Sequence, residues 1–86
     1  MRVDFTKAFN KQFEKLPRKR QEHARKSSAL FLKNISHPTL RNHALKGEWL
    51  GYRSISAGGD LRLHFKTIDE NKVLFVAVGT YAQLYK

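Results

Sequence analysis

Trp49-Leu50-Gly51-Tyr52-Arg53-Ser54-Ile55-Ser56, Ala57-Gly58-Gly59-Asp60 and Leu61-Arg62-Leu63-His64-Phe65-Lys66-Thr67 are the three consecutive stretches that decide the fold. In the last of them Leu61, Leu63 and Phe65 alternate with Arg62, His64 and Lys66. A period of two puts the first set on one face of a strand and the second on the other. Ala57 to Asp60 is rich in turn formers, so Trp49–Ser56 and Leu61–Thr67 read as a hairpin. Downstream, Asp69-Glu70-Asn71 turns the chain again. Val73-Leu74-Phe75-Val76-Ala77-Val78 is apolar at every position and belongs inside the sheet, flanked on both sides. Gly79 is expected to break that strand, leaving Thr80 to Lys86 as a short tail.

Upstream the period changes. Ser36 to Lys46 reads as loop, punctuated by His37-Pro38. Before it, Ala24, Ser28, Phe31 and Ile35 form the inner stripe of a helix from about Arg18 to Asn34. Phe9, Phe13 and Leu16 give a first helix its apolar stripe, with Thr6 as N-cap and Pro17 as terminator. Arg2 to Phe5 is a short opening strand. The order is β-α-α-β-β-β over one domain spanning residues 1–86, an α+β fold. Two helices pack on one face of a small, mostly antiparallel sheet, because a chain this short cannot cover both faces. The other face is expected to stay open, carrying Arg62, His64 and Lys66.

Composition narrows the function. The chain has 86 residues and no cysteine, which removes disulfides and thiolate metal sites and suits a reducing cytoplasm. His23, His37, His43 and His64 show no metal-ligand spacing, and no cofactor motif is present. The longest apolar run is far short of the roughly 20 residues that span a bilayer, so no membrane role is expected. The net charge is +10, and it is unevenly placed. Residues 1–46 hold 12 Lys/Arg against 3 Asp/Glu, whereas residues 47–86 hold 5 against 4. Such a field favours an anionic partner, nucleic acid first.

One set of motifs is more specific. His43-Ala44-Leu45-Lys46-Gly47-Glu48-Trp49-Leu50-Gly51-Tyr52-Arg53 resembles the "H-x-L-K-G-x-W-x-G-Y-R" signature of RelE-type toxins. Gly59-Asp60-Leu61-Arg62-Leu63 is similar to the "G-D-x-R-L" of that superfamily, and Gly79-Thr80-Tyr81-Ala82-Gln83-Leu84-Tyr85 to its "G-T-H-x-x-L-[FY]" terminus. The resemblance spans the chain, is strongest over residues 43–85, and points to the YafQ-like branch of the RelE/ParE superfamily. It implies a toxin of a type II toxin-antitoxin system that cleaves mRNA in the ribosomal A site. The reaction would need no metal or cofactor, and a small cognate antitoxin would hold the toxin in check. The ribose 2′-OH would be the nucleophile. Such a reaction needs a base for that proton, an acid for the leaving 5′-oxygen and cations for the phosphate.

On this resemblance Arg62 contacts the scissile phosphate, with Arg53 one strand over on the same face. His43 belongs to the acid/base set and Asp60 holds the position of a functional aspartate. Tyr81 stands where the branch has histidine, Ser56 stands at a second histidine position, and Ala77 replaces an arginine. Tyr81 or Tyr85 would then fill an acid/base role, although an ordinary phenol, with a pKa near 10, needs a cationic neighbour to act as base. Arg18, Lys19, Arg20 and Lys46 are expected to dock on ribosomal RNA. His64 and Lys66 are expected to join them from the open face, although the resemblance gives His64 no role. Trp49 and Tyr52 are expected to pack under the helices. Two other readings compete. A ParE-like relative would poison DNA gyrase without RNA chemistry, and a catalytically impaired relative would only bind RNA or the ribosome.

Overall fold

The computed structural model describes residues 1–85, leaving Lys86 of the expected tail outside. Strand β1 (Arg2–Phe5) leads into helices α1 (Lys7–Glu14) and α2 (Arg18–Lys33). Strands β2 (His43–Ala44), β3 (Arg53–Ser56), β4 (Leu61–Asp69) and β5 (Lys72–Thr80) follow, and α3 (Tyr81–Leu84) closes the chain. The strand order is β1-β5-β4-β3-β2. Strand β1 is parallel to β5 and every other pairing is antiparallel. The expected α+β layout of two helices on a mostly antiparallel sheet is the one observed.

The helices form where local chemistry allows. Thr6 is extended, and its Oγ1 accepts the Phe9 N–H at 3.1 Å, satisfying one free donor at the start of α1. Pro17 opens α2 without a side-chain cap, and three cations follow it against the helix dipole. Phe31, from α2, meets Phe65 and Phe75 edge-on at centroid distances of 4.8 and 5.4 Å, joining helix to sheet. Ala24, Ile55, Leu61, Leu63 and Val78 complete that layer.

Five local expectations change. Ile35 lies beyond the end of α2 and is exposed; buried Leu40, from a short 3₁₀ turn over Pro38–Leu40, takes its place in the core. That turn starts where His37 Nδ1 accepts the Thr39 N–H at 3.2 Å. The expected loop also contains β2, which adds a fifth strand. Strand β3 starts at Arg53 instead of Trp49, because Gly47 and Gly51, at φ 64° and 93°, frame a second 3₁₀ turn. Gly79 does not break β5. It pairs with Arg62, and the strand runs on to Thr80.

The expected tail is helix α3. Thr80 Oγ1 accepts the Gln83 N–H while Gln83 Oε1 accepts the Thr80 N–H, a reciprocal capping box. A Cβ at position 79 would lie 2.9 Å from Gln83 Oε1, so glycine lets α3 fold back onto β5. The sheet face away from the helices is therefore not wholly open. Ser54 and His64 are both fully buried on it.

Candidate active site on the sheet face

Strand register sets the site. His43 on β2 lies opposite Ser54 on β3, Ser54 opposite His64 on β4, and His64 opposite Ala77 on β5. One step along, Ser56 pairs with Arg62 and Arg62 with Gly79. Residues two apart share a face, so both rows lie on the side away from α1 and α2.

Arg62 is half-buried. Its Nη1 donates to the carbonyls of Gly59 (2.9 Å) and Leu61 (3.0 Å) and, more weakly, to Ser56 Oγ (3.4 Å). Among the described residues no hydrogen bond uses Nη2 or Nε. The fork is thus anchored by one nitrogen and free to present the others to a phosphate. Exposed His43 is held differently. Its Nδ1 lies 2.8 Å from the Arg41 carbonyl, which only accepts, so Nδ1 carries the proton and Nε2 keeps a free lone pair. Arg41 is the one non-glycine residue with positive φ (50°) among those described. That left-handed turn aims its carbonyl at His43.

His64 departs from the expectation of a wet RNA contact. Trp49 stands edge-on over its ring at 4.4 Å, and Tyr85 Oη lies 3.1 Å from Nε2. The alternation assigned the right face, but the returning C-terminal segment and the Trp49 loop cover it. Burial first, then repulsion from His43 whenever that ring is protonated and from Arg62, lower the His64 pKa to about 4. The ring is neutral at pH 7 and cannot touch RNA directly. Tyr85 has its pKa raised by burial and by Tyr81, against opposing effects of Ser54 and Arg62. The Ser54 hydroxyl thus bears on the phenol without making a hydrogen bond of ordinary geometry. Tyr85 keeps its proton at neutral pH.

Arg53 is not on the Arg62 face. It alternates with buried Ile55 and pairs with Phe65, which puts it on the helix side. There its Nε donates to Asn42 Oδ1 at 2.8 Å, bracing the residue before His43. Asp60 leaves the row as well. Its Oδ1 pairs with Arg20 Nη1 at 3.0 Å, tying the β3–β4 turn to α2. Tyr81 is exposed, its ring 4.4 Å from that of Tyr85, and its N–H donates to the Asp60 carbonyl at 2.8 Å. Lys46 and Lys66 are exposed, as are Arg18 and Lys19 at the start of α2. Trp49 and Tyr52 do not pack under the helices as expected; they pack edge-on to each other on the opposite face, Trp49 against His64, and Lys66 Nζ sits 5.8 Å above the Tyr52 ring.

Beside Arg62 an open cleft of about 700 Å³ separates α2 from the β3–β4 turn. Lys26, Arg41 and Arg62 line it together with the hydroxyls of Ser27, Thr39 and Ser56. Sequence reasoning missed Lys26, Arg41 and Ser54. The signal for Ser54 was its parity with Ser56 on β3; nothing in the pattern marked the other two. Among the described residues no group of three or more His, Asp or Glu side chains is placed to hold a metal.

Comparison with known proteins agrees with this architecture. The family profile described as "Bacterial toxin of type II toxin-antitoxin system, YafQ" matches residues 1–86. The crystal structure of YafQ from E. coli strain BL21(DE3) is 25% identical, with full coverage of both chains and a TM-score of 0.81. YafQ in the E. coli DinJ-YafQ complex is likewise 25% identical over the whole of both chains, at a TM-score of 0.78. The YoeB/ParE toxin from Agrobacterium tumefaciens shares the fold at 13% identity and a TM-score of 0.74, covering 93% of this chain and 98% of that one. No protein of curated function matches.

Proposed function

The chain belongs to the YafQ family of bacterial type II toxins, and from that membership we propose that it is a ribosome-dependent endoribonuclease cleaving mRNA in the A site. The observation that carries this reading is the grouping of Arg62, the free Nε2 of His43 and the protonated phenol of Tyr85 about one sheet face. The 2′-oxygen attacks phosphorus and the P–O5′ bond breaks, giving a 2′,3′-cyclic phosphate and a 5′-hydroxyl. His43 Nε2 takes the 2′-OH proton, Arg62 holds the non-bridging oxygens as their charge grows, and Tyr85 protonates the departing 5′-oxygen. Tyr81 offers an exposed ring for a base to stack on. Asp60 and Arg53 act from outside the reacting row. Asp60 pins α2 to the turn beside Arg62, and Arg53 steadies the chain before His43.

Arg18, Lys19, Lys46, Lys66 and the cleft cations serve docking on ribosomal RNA, which positions the protein without reading sequence. E. coli YafQ forms a complex with DinJ. By analogy this chain is held inactive in the cytoplasm by a cognate antitoxin whose acidic surface offsets the +10 charge. The test is to incubate the purified protein with programmed ribosomes and map mRNA ends by primer extension. Codon-aligned cuts that disappear in Arg62→Ala support the proposal. Intact mRNA alongside blocked gyrase supercoiling would replace it with a gyrase poison, and ribosome binding without either activity with a binding module.

A further inference from the structure

We infer that His64 is a positioning residue: its Nε2–H donates to the phenolic oxygen of Tyr85 and leaves the tyrosine's own O–H free to serve as a donor. The inference rests on the proposed function and adds to it a residue that no motif marks. Three observations support it.

The first is the hydrogen-bond inventory of the ring. Nε2 lies 3.1 Å from Tyr85 Oη, whereas Nδ1 is buried with no partner among the described residues. A neutral imidazole carries one N–H. Placing it on Nδ1 would orphan a buried donor, which native structures avoid more strictly than an orphaned acceptor. The proton therefore resides on Nε2, and Tyr85 Oη accepts it. Because the phenol oxygen is the acceptor in this bond, its hydrogen is released for another partner.

The second is enclosure. Trp49 walls the imidazole edge-on, and its Nε1–H donates to the Leu84 carbonyl at 3.0 Å, fastening the residue that precedes Tyr85. The capping box of α3 fixes the same segment from its other end. Tyr85 is thus held at both its backbone and its hydroxyl. The third is charge. The fixed charge of Arg62 bears on His64, as does His43 when it has taken up a proton, so a neutral ring is the state these neighbours favour. A neutral donor can orient the phenol without drawing off its proton as a fixed cation would.

Two measurements on the full chain test this. Ring-nitrogen NMR should show a protonated Nε2 and a bare Nδ1 on His64 from pH 7 down to about pH 5, and the Nε2 signal should shift in Tyr85→Phe. In single-turnover mRNA cleavage on ribosomes, His64→Leu should lower the maximal rate about tenfold or more without changing half-saturation. His64→Gln, whose amide can donate to the phenol, should recover most of the loss. His64→Leu/Tyr85→Phe should be no slower than Tyr85→Phe alone. A proton found on Nδ1, a fully active His64→Leu, or losses that multiply would overturn the inference while wild-type cleavage stands. A wild type that cleaves nothing overturns the proposed function and the catalytic sense of this positioning, whereas the NMR result still decides the His64–Tyr85 bond.

Discussion

At position 64 the alternation of β4 assigns a side chain to the polar face, and the structure buries it completely. Arg62, His64 and Lys66 share a parity, so sequence periodicity treats all three alike. What separates them is contact with Trp49 and Tyr85, residues 15 and 21 positions away along the chain, and such long-range cover leaves no local pattern. Burial also gives His64 a measurable signature. Its pKa is about 4 in the fold against an unperturbed 6.5, so between those values the unfolded chain binds a proton that the folded chain refuses. Stability then falls as pH drops from about 6.5 to 4. The loss from this group approaches about 3 kcal/mol, at 1.36 kcal/mol per pKa unit. Denaturant unfolding across that window should show the slope in wild type, and His64→Leu should flatten it. Arg53 carries a different lesson. The motif identified the residue, but only strand register revealed that it faces the helices and braces Asn42.

Elements with a full period were legible and the short ones were not. Helix α2 and strand β4 are long enough for 3.6-residue and two-residue repeats to stand out. Strand β2 has two residues, the two 3₁₀ turns three each and α3 four, so none completes a repeat. Capping chemistry was the remaining signal for α3. Thr80 followed three residues later by Gln83 is a capping-box pattern, and it stood inside a stretch read as tail. Two substitutions probe that element. Thr80→Ala should cost about 1 kcal/mol of stability through the lost cap and should expose the Leu84–Tyr85 segment to protease. Gly79→Ala would put a methyl 2.9 Å from Gln83 Oε1, so that flexible side chain must swing aside and give up its capping bond to Thr80. It should cost about 1 kcal/mol through the lost capping bond and weaken cleavage by loosening the segment that carries Tyr85. Thermal unfolding and limited proteolysis read both. Core substitution behaves otherwise: Phe31→Ala, at the junction of Phe65 and Phe75, should cost about 3–5 kcal/mol wherever the active groups lie.

Over the whole molecule the sequence puts most of the docking charge in one half and Arg62 and Tyr85 in the other, with His43 near the junction, and the fold brings them to a shared border. Most of the +10 charge belongs to residues 1–46, whereas Arg62 and Tyr85 come from the near-neutral half. The cleft between α2 and the β3–β4 turn is where the halves meet, lined by Lys26 and Arg41 from one half and Arg62 from the other. Replacing Lys26 and Arg41 by Glu should weaken ribosome binding and flatten its salt dependence by roughly one ion per removed phosphate contact. The maximal cleavage rate at saturation should change less than the affinity, which a ribosome titration at two salt concentrations resolves. Arg62, His43 and Tyr85 together are proposed to cleave RNA on the ribosome. The most direct test is single-turnover cleavage of ribosome-bound mRNA at saturating protein, comparing wild type with Arg62→Ala and identifying the new ends. Cuts ending in a 2′,3′-cyclic phosphate are expected, slowed about a hundredfold or more in Arg62→Ala while ribosome binding persists. Equal cutting by both proteins, or mRNA left intact by the wild type, would contradict that proposal.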